Sequence, residues 1–496
     1  MQGRFEIAIE QMASQPDVVD PIQHDIVGPE LPEPSNLEAA IDHCGRKEGN
    51  PPDSFRAGNR GNRFGHEGQC AGESFIVTTD FEFALCEVQM HRAAKGDAKG
   101  CAIIREFMPN SEDLARKPHP DSADFPRETF SPAPGGPSQG ELTALVLCGF
   151  VLFVSVVMFV RNYAAAVDNF ADSSAYMGLA SAIRHWDFHG VVIKQFWGLP
   201  YAMAVLSRLT GLSDRTALLL LSFVPSLIAV VLARRLWDGW IAGYFAVLNF
   251  EWIQRSCLGG SEPLFVCLLF GAFICVRRQR WMLAALLASF ATIVRPLGVF
   301  ALLGIGIALL WKRDFRKFAA ATAIGLAVGV LYSLPLAIHF GDALATVNSY
   351  HSKQWQGGWL FGFPFYAIVK GTILYPAPWT NLILSFGWIF LVVLGTAVMT
   401  RSSQFRAYCK SHLVEAMFLV PYLWCLFTYN YPVWARSNFE RFAIPILPFV
   451  FLALYRWLPK DRRILWGLGV VSPILAASSA LGVVSVVHML QRVIHR

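Results

Sequence analysis

The chain has 496 residues, 54% of them hydrophobic and 16% charged, with 42 Lys and Arg against 36 Asp and Glu for a formal net charge of +6. Its mean hydropathy is +0.41, which together with the low charge excludes an ordinary soluble globular domain. The basic residues fall in short clusters between apolar runs, which argues against a nucleic-acid partner, and the ten cysteines include no Cys-x-x-Cys pair, so neither a disulfide framework nor a zinc site is implied.

Residues 1–140 form a polar front end rich in Pro, Gly, Asn, Asp and Glu, as in "DIVGPELPEPSN" and "FSPAPGGPSQG". Such a segment buries too little apolar surface to offset its ordering entropy, so it is expected to be disordered. The alternative is an extension that is not made at all, with Met108 as the true start. The front end also lacks the basic and apolar regions and cleavage site of a signal peptide.

From residue 141 the chain is a membrane domain. A span needs roughly 20 apolar residues to cross about 30 Å of hydrocarbon. Spans are expected near 142–160, 215–233, 238–250, 263–276, 281–294, 296–311, 316–338, 380–400, 411–428, 441–458 and 464–488, giving an all-α polytopic protein of about eleven transmembrane helices. Basic clusters at 234–235, 277–280, 312–317, 401–410 and 456–463 occur at every second turn, which puts them on the cytoplasmic side. Arg161, Arg184, Lys194, Arg208 and Arg215 run against this scheme, but they lie in a long loop where the charge rule is weaker.

This alternation has a consequence for "ATIVRPLGVF". A single helix over 281–311 would put the 277–280 and 312–317 clusters on opposite sides, so the segment is expected to turn back at Arg295-Pro296. Each arm has about fifteen residues, or ~22 Å, too short to bring Arg295 to the outer surface. The preceding turn, "LNFEWIQRSCLGGSEPLF", recesses Glu251, Arg255 and Glu262 in the same way unless its helices are re-entrant. Charge at such depth is tolerated where it lines a cavity, here one that opens outward.

Further outer pieces bring chemistry to that cavity. The first outer loop, "RNYAAAVDNFADSSAYMGLASAIRHWDFHG", carries Asp168, Asp172 and Tyr176 one helical turn apart, with short amphipathic helices expected over 173–186 and 196–212. The loop after the seventh span is aromatic and holds His351, Lys353 and Lys370, and the last outer turn, "YNYPVWARSNFERFAIPILPF", holds Arg436, Glu440 and Arg441. Carboxylates, arginines and aromatic platforms on one rim suit a sugar with an anionic head group.

The early "DSSAYMGLA", the "SEPLF" opening the fourth span, the "RPLG" opening the sixth and the late "ERFAIPILP" resemble, over roughly 142–490, the GT-C class of integral membrane glycosyltransferases. Within that class the chain is most similar to bacterial relatives of PIG-V-type mannosyltransferases. The resemblance implies transfer of a hexose, with mannose favoured, from a polyprenyl-phosphate-linked donor to a glycan, lipid or protein acceptor on the extracytoplasmic face of the bacterial inner membrane, with inversion. It also implies that Asp172 is the catalytic base. Ala171 stands where an aromatic residue is usual in that family, which leaves Asp168 open as the base. Arg295 and Arg441 are the candidates for the lipid phosphate, Glu262 for orienting the acceptor or bracing an arginine, and Tyr176, Glu440 and His351 for further substrate contacts. No cofactor is assigned with certainty, and a divalent cation stays open.

Plainer readings stand beside these. Asp172 is also suited to capping the helix that follows it, Arg295 to snorkelling, and Glu440 and Arg441 to pairing with each other. His185, Asp187 and His189 alternate as metal ligands sometimes do, but also as the polar edge of an interfacial loop. The competing function is a secondary transporter, against which stand the absence of an evident internal repeat and charges gathered toward one face. A membrane scaffold whose front end recruits partners is the third.

Overall fold

The computed structural model describes residues 136–170, 172–189, 195–352, 360–375 and 379–481; the front end through 135, Met108 included, lies outside the described residues. Helices α1 (Gln139–Val160), α2 (Tyr163–Asp168), α3 (Ser173–His185), α4 (Gly198–Thr210) and α5 (Asp214–Leu236) come first. Then follow α6 (Gly239–Leu248), α7 (Phe250–Leu258), α8 (Ser261–Arg277), α9 (Trp281–Val294), α10 (Val299–Trp311) and α11 (Phe315–Phe340). The last third holds α12 (Ala345–Ser352), α13 (Tyr366–Leu374), α14 (Trp379–Arg401), α15 (Ser403–Ser411), α16 (Leu413–Thr428), α17 (Pro432–Ser437), α18 (Phe439–Ala443), α19 (Leu447–Ala453) and α20 (Arg462–Ala480). Among the described residues extended pairing is limited to one antiparallel bridge, Phe361 with Tyr429.

Polar residues at the breaks start these helices. Ser138 accepts from Glu141 N at 3.1 Å at the head of α1 in an S-x-x-E pattern, and Ser213, Asp238, Asn249, Asp314, Ser402 and Asp461 cap α5, α6, α7, α11, α15 and α20. Helices lie at each expected span, but by length and composition five of them, α1, α5, α11, α14 and α20, can cross a membrane, or seven if the bent pairs α7–α8 and α15–α16 each count as one. The expected continuous span over 441–458 is interrupted: Pro445 and Pro448 lack the N–H an unbroken helix needs, and the chain runs α18, a 3₁₀ turn at Ile444–Ile446, then α19. The loop helices expected at 173–186 and 196–212 are α3 and α4.

Arg295 to Gly298 is a reversal. Arg295, preceding proline, is extended, and a 3₁₀ turn at Pro296–Gly298 starts the return. At the far end Lys312 Nζ lies 3.2 Å from Gln279 Oε1 and 4.8 Å from the Trp281 ring, so α9 and α10 run antiparallel and both basic clusters share one end of the molecule. The reversal is tight enough that a Cβ on Gly298 would come within 2.6 Å of Thr292 N.

The core lies around α6, where every residue from Gly239 to Val247 is buried, as expected of a helix apolar on all sides. Trp252, Phe265, Phe270, Phe273, Phe418 and Phe449 fill the space around it. By contrast α11 and α14 leave most of their apolar surface exposed, as helices facing lipid do.

One polar cluster pins the end that carries the basic clusters. Arg277, at the end of α8, donates to Glu415 Oε1 at 2.7 Å and Oε2 at 2.9 Å and to Tyr408 Oη at 3.1 Å, while Tyr408 donates to Glu415 and accepts from Trp237 Nε1 at 2.8 Å. The fork-to-fork geometry, with all partners engaged, makes this a clamp joining α8, α15 and α16. Glu415→Ala leaves a largely enclosed guanidinium without its counter-charge and is expected to cost about 3 kcal/mol, read as a lower thermal midpoint of the detergent-purified protein. The double replacement Arg277→Met/Glu415→Leu should recover most of that loss; if it is no more stable than Glu415→Ala, the pair is not what holds the helices.

Candidate functional site

Two glycines make the bend on which the site is built. Gly259 has φ +105°, where side chains are strained, and the chain turns by 105° between α7 and α8. A Cβ on Gly260 would meet Arg255 and Glu262, each at 2.8 Å, so the backbone passes directly between two charged side chains. Ser222 of α5 holds this bend from the side, accepting from Gly260 N at 3.1 Å and donating to Gly260 O at 3.2 Å.

The first loop is fastened to the same bend. Tyr163 donates to Cys257 O, Ser173 Oγ donates to Leu258 O at 3.0 Å, and Tyr176 Oη donates to Ser261 Oγ at 3.2 Å. These bonds bring Asp172, between α2 and α3, over the start of α8. Its side chain makes no capping bond to α3. It turns instead to two arginines, with Arg441 Nη2 at 2.6 Å and Arg255 Nη1 at 3.5 Å from Oδ2.

Glu262 occupies the floor of this arrangement, its side chain completely buried. Its Oε1 accepts from Arg295 Nη2 at 2.6 Å and from Arg441 Nε, and Arg295 Nε donates to Ser261 Oγ at 3.2 Å. Glu262 Oε2 is buried with no partner among the described residues. Arg255 completes the ring: its Nε donates to Glu251 Oε2 at 3.0 Å, and its guanidinium stands 4.6 Å above the Phe170 ring. Arg255, Arg295 and Arg441 thus face Asp172, Glu251 and Glu262, so the cluster is balanced in charge. Asp172 and Arg295 keep 16% of their side-chain surface open and Arg441 11%, so the ring can be reached from one side.

The charges set the protonation of the loop residues. Burial pushes the Asp172 carboxyl up, and Glu262 adds to that, but Arg441 and Arg255 outweigh both and hold the group below its ordinary 3.8. Burial, reinforced by Asp172, pushes the Tyr176 hydroxyl up to about 12, so it stays protonated and acts as a donor.

Asp168 and Glu440 are placed elsewhere. Asp168 lies at the surface, accepting from Arg215 Nε at 2.9 Å, with 40% of its side chain exposed. Glu440 does not pair with Arg441; its Oε1 accepts from Phe250 N at 3.0 Å and Glu251 N at 3.4 Å, so it closes the N-terminus of α7. His351 is in α12, but its side chain, like Lys353 and Lys194, lies outside the described residues. Among the described residues no group of three or more His, Cys, Asp and Glu side chains converges as metal ligands would. In the "HWDFHG" stretch His185 Nδ1 sits 2.9 Å from Ser181 O and Asp187 accepts from His189 N at 3.2 Å.

Sequence reasoning recesses Glu251 and Arg255 into the cavity but gives them no role, and it passes over Ser261. The signal for two of them is the spacing of Glu251 and Arg255, i and i+4 on a recessed helix. No family model matches the chain, and neither does any curated protein.

Proposed function

We propose that this chain is an inverting glycosyltransferase of GT-C type, moving a hexose, with mannose favoured, from a polyprenyl-phosphate donor to an acceptor outside the bacterial inner membrane. On this reading the chain crosses that membrane about eleven times, with the shorter helices completing the count and the open side of the charged ring facing outward. The observation that carries the reading is the delivery of a loop carboxylate, Asp172, into a partly open ring of arginines at the head of α8.

The chemistry asks for those groups. An acceptor hydroxyl attacks the anomeric carbon, its proton passes to Asp172, the new C–O bond forms, and the bond from that carbon to the phosphate oxygen breaks. The leaving lipid phosphate takes the electron pair and goes from one negative charge toward two, so a guanidinium nearby is worth more in the transition state than before it. Arg441 and Arg295 stand beside Asp172 and Glu262 for this purpose, and an entering phosphate competes with these carboxylates for them. Glu262, fixed by both, keeps the two cations side by side. The Tyr176 hydroxyl, held protonated, can donate to a sugar oxygen.

Membranes of a strain lacking the chain are expected to accumulate a polyprenyl-phosphate sugar, read by mass spectrometry of extracted lipids, and to clear it when the full chain is restored. No build-up, with unchanged envelope glycans, would remove the reading.

A further inference from the structure

A second cavity lies away from the charged ring, at the end of the molecule that carries the basic clusters. It is an open groove of about 580 Å³ between the starts of α9 and α11, within the ~300–1,000 Å³ range of small-molecule sites. Because α9 has the groove at its first turn and Arg295 just past its last residue, the two places are a helix length apart, ~21 Å. Arg280 stands on one wall and Arg316 and Lys317 on the other, and among the described residues no carboxylate lines the space. Lys317 is held by Asp314 at 2.6 Å, whereas Arg280 and Arg316 form no ion pair with a described carboxylate. α9 also begins here with neither a side-chain cap nor an acidic residue in its first turn, so nothing on that wall offsets the positive charge.

The lining of this one groove changes with depth. A Cβ on Gly306 would meet Phe318 at 3.4 Å and one on Gly325 would meet Leu302 at 3.2 Å, so α10 and α11 are antiparallel. With α9 antiparallel to α10, both walls of the groove run in the same direction, from the basic end into the membrane body. One turn past the cations the lining is apolar, with Leu283 on α9, 42% exposed, and the exposed Ala320 on α11. Trp281 marks the change, at the headgroup level where tryptophan is favoured. Its indole N–H donates to Gln279 Oε1 at 3.1 Å, which also accepts from Lys312 at 3.2 Å, so the mouth is already fastened. Cations at the mouth and apolar side chains behind them follow the order of phosphate and acyl chains in a phospholipid.

We propose that this groove seats one anionic phospholipid from the leaflet at the basic end, with Arg280 and Arg316 taking its phosphate from the two walls and an acyl chain lying past Leu283 and Ala320. Two guanidiniums across a gap pair with phosphate oxygens in a way that a scattered surface charge does not. The seat does not rest on the glycosyltransferase reading. It is at the other end of α9 from Arg295, and the lipid in it is a fixed partner that joins α9 to α11, with no part in sugar transfer.

The test is native mass spectrometry of the full chain in detergent, titrated with phosphatidylglycerol or with phosphatidylcholine of the same acyl chains. Wild type is expected to hold phosphatidylglycerol about tenfold or more tightly than phosphatidylcholine. Arg280→Gln/Arg316→Gln is expected to lose about tenfold or more in phosphatidylglycerol affinity, and Ala320→Trp, which fills the groove and leaves every charge in place, to lose a comparable amount. Arg401→Gln/Arg406→Gln removes the same charge from exposed positions outside the groove and is expected to stay within about twofold of wild type. An equal loss in that control means that the lipid answers to the overall charge of this end, and it overturns the seat. Equal retention of the two lipids by wild type overturns it as well, and so does displacement of phosphatidylglycerol by inorganic phosphate at equal concentration, which marks a plain anion site. Should the double arginine variant not fold, unchanged affinity in Ala320→Trp still overturns the proposal.

Discussion

Asp172→Asn is expected to lower sugar transfer by ~10²–10⁴-fold while the purified protein still elutes as a folded species, with a lower thermal midpoint because Arg441 and Arg255 lose a counter-charge. The substitution keeps the shape and keeps an oxygen for Arg441 to donate to, but removes the only feature a base needs, the ability to take up the acceptor's proton. Asp168→Asn is the comparison. Asp168 pairs with Arg215 in the open, where such contacts contribute about 0–1 kcal/mol, so this variant should transfer at close to the wild-type rate. Transfer is measured with purified protein, a lipid-linked sugar and a membrane extract as acceptor source. If Asp168→Asn takes the loss and Asp172→Asn does not, the base is the surface residue and the ring has another purpose.

Much of this arrangement is legible in the amino-acid sequence. The reversal at Arg295 follows from charge alternation and one proline, and the recess of Glu262 and Arg295 from the short arms on either side, while Asp172 and Arg441 are singled out from outer loops through the family resemblance. What is not legible is which carboxylate reaches which guanidinium. Glu440 and Arg441 are neighbours in sequence, yet Glu440 closes α7 while Arg441 reaches back to Asp172 and Glu262. Side chains one position apart on a helix point about 100° apart, so adjacency in the chain opposes a shared partner.

The broken elements escape for a related reason. The nine residues of α7 carry Glu251, Gln254 and Arg255 among apolar neighbours, which reads as a polar turn between spans. Its helical state depends on contacts distant in sequence, the cap from Glu440 and the bond from Gln254 Nε2 to Ala476 O at 2.9 Å. Likewise the hydropathy of 441–458 suggests one span, and hydropathy is blind to the two missing N–H groups at Pro445 and Pro448.

Arg441→Gln is the second variant with a large expected effect, and it tests the electrostatics directly. Arg441 is shared between two carboxylates, one of them fully buried, so its loss is expected to cost ~3–5 kcal/mol and a large part of transfer. The sign of the pH effect follows from Asp172. Its folded pKa lies below 3.8 because Arg441 and Arg255 overcome burial, so the stabilisation from its charged form is present above the unfolded value and fades as pH falls through the folded one. In wild type the acid limb of kcat/KM for transfer therefore lies below pH 3.8, and activity is flat on that side through neutrality. Without Arg441, burial is opposed by Arg255 alone at 3.5 Å, and the limb moves upward. Arg441→Lys should move it back part of the way, since a point charge restores the field without the fork that spans Asp172 and Glu262. A limb that stays in place in Arg441→Gln, in a variant that still turns over, means that the titrating base is not Asp172. On the proposed reading a base held by arginines is weak at rest, and a donor phosphate that drew Arg441 toward itself would raise the basicity of Asp172 as the acceptor's proton moves.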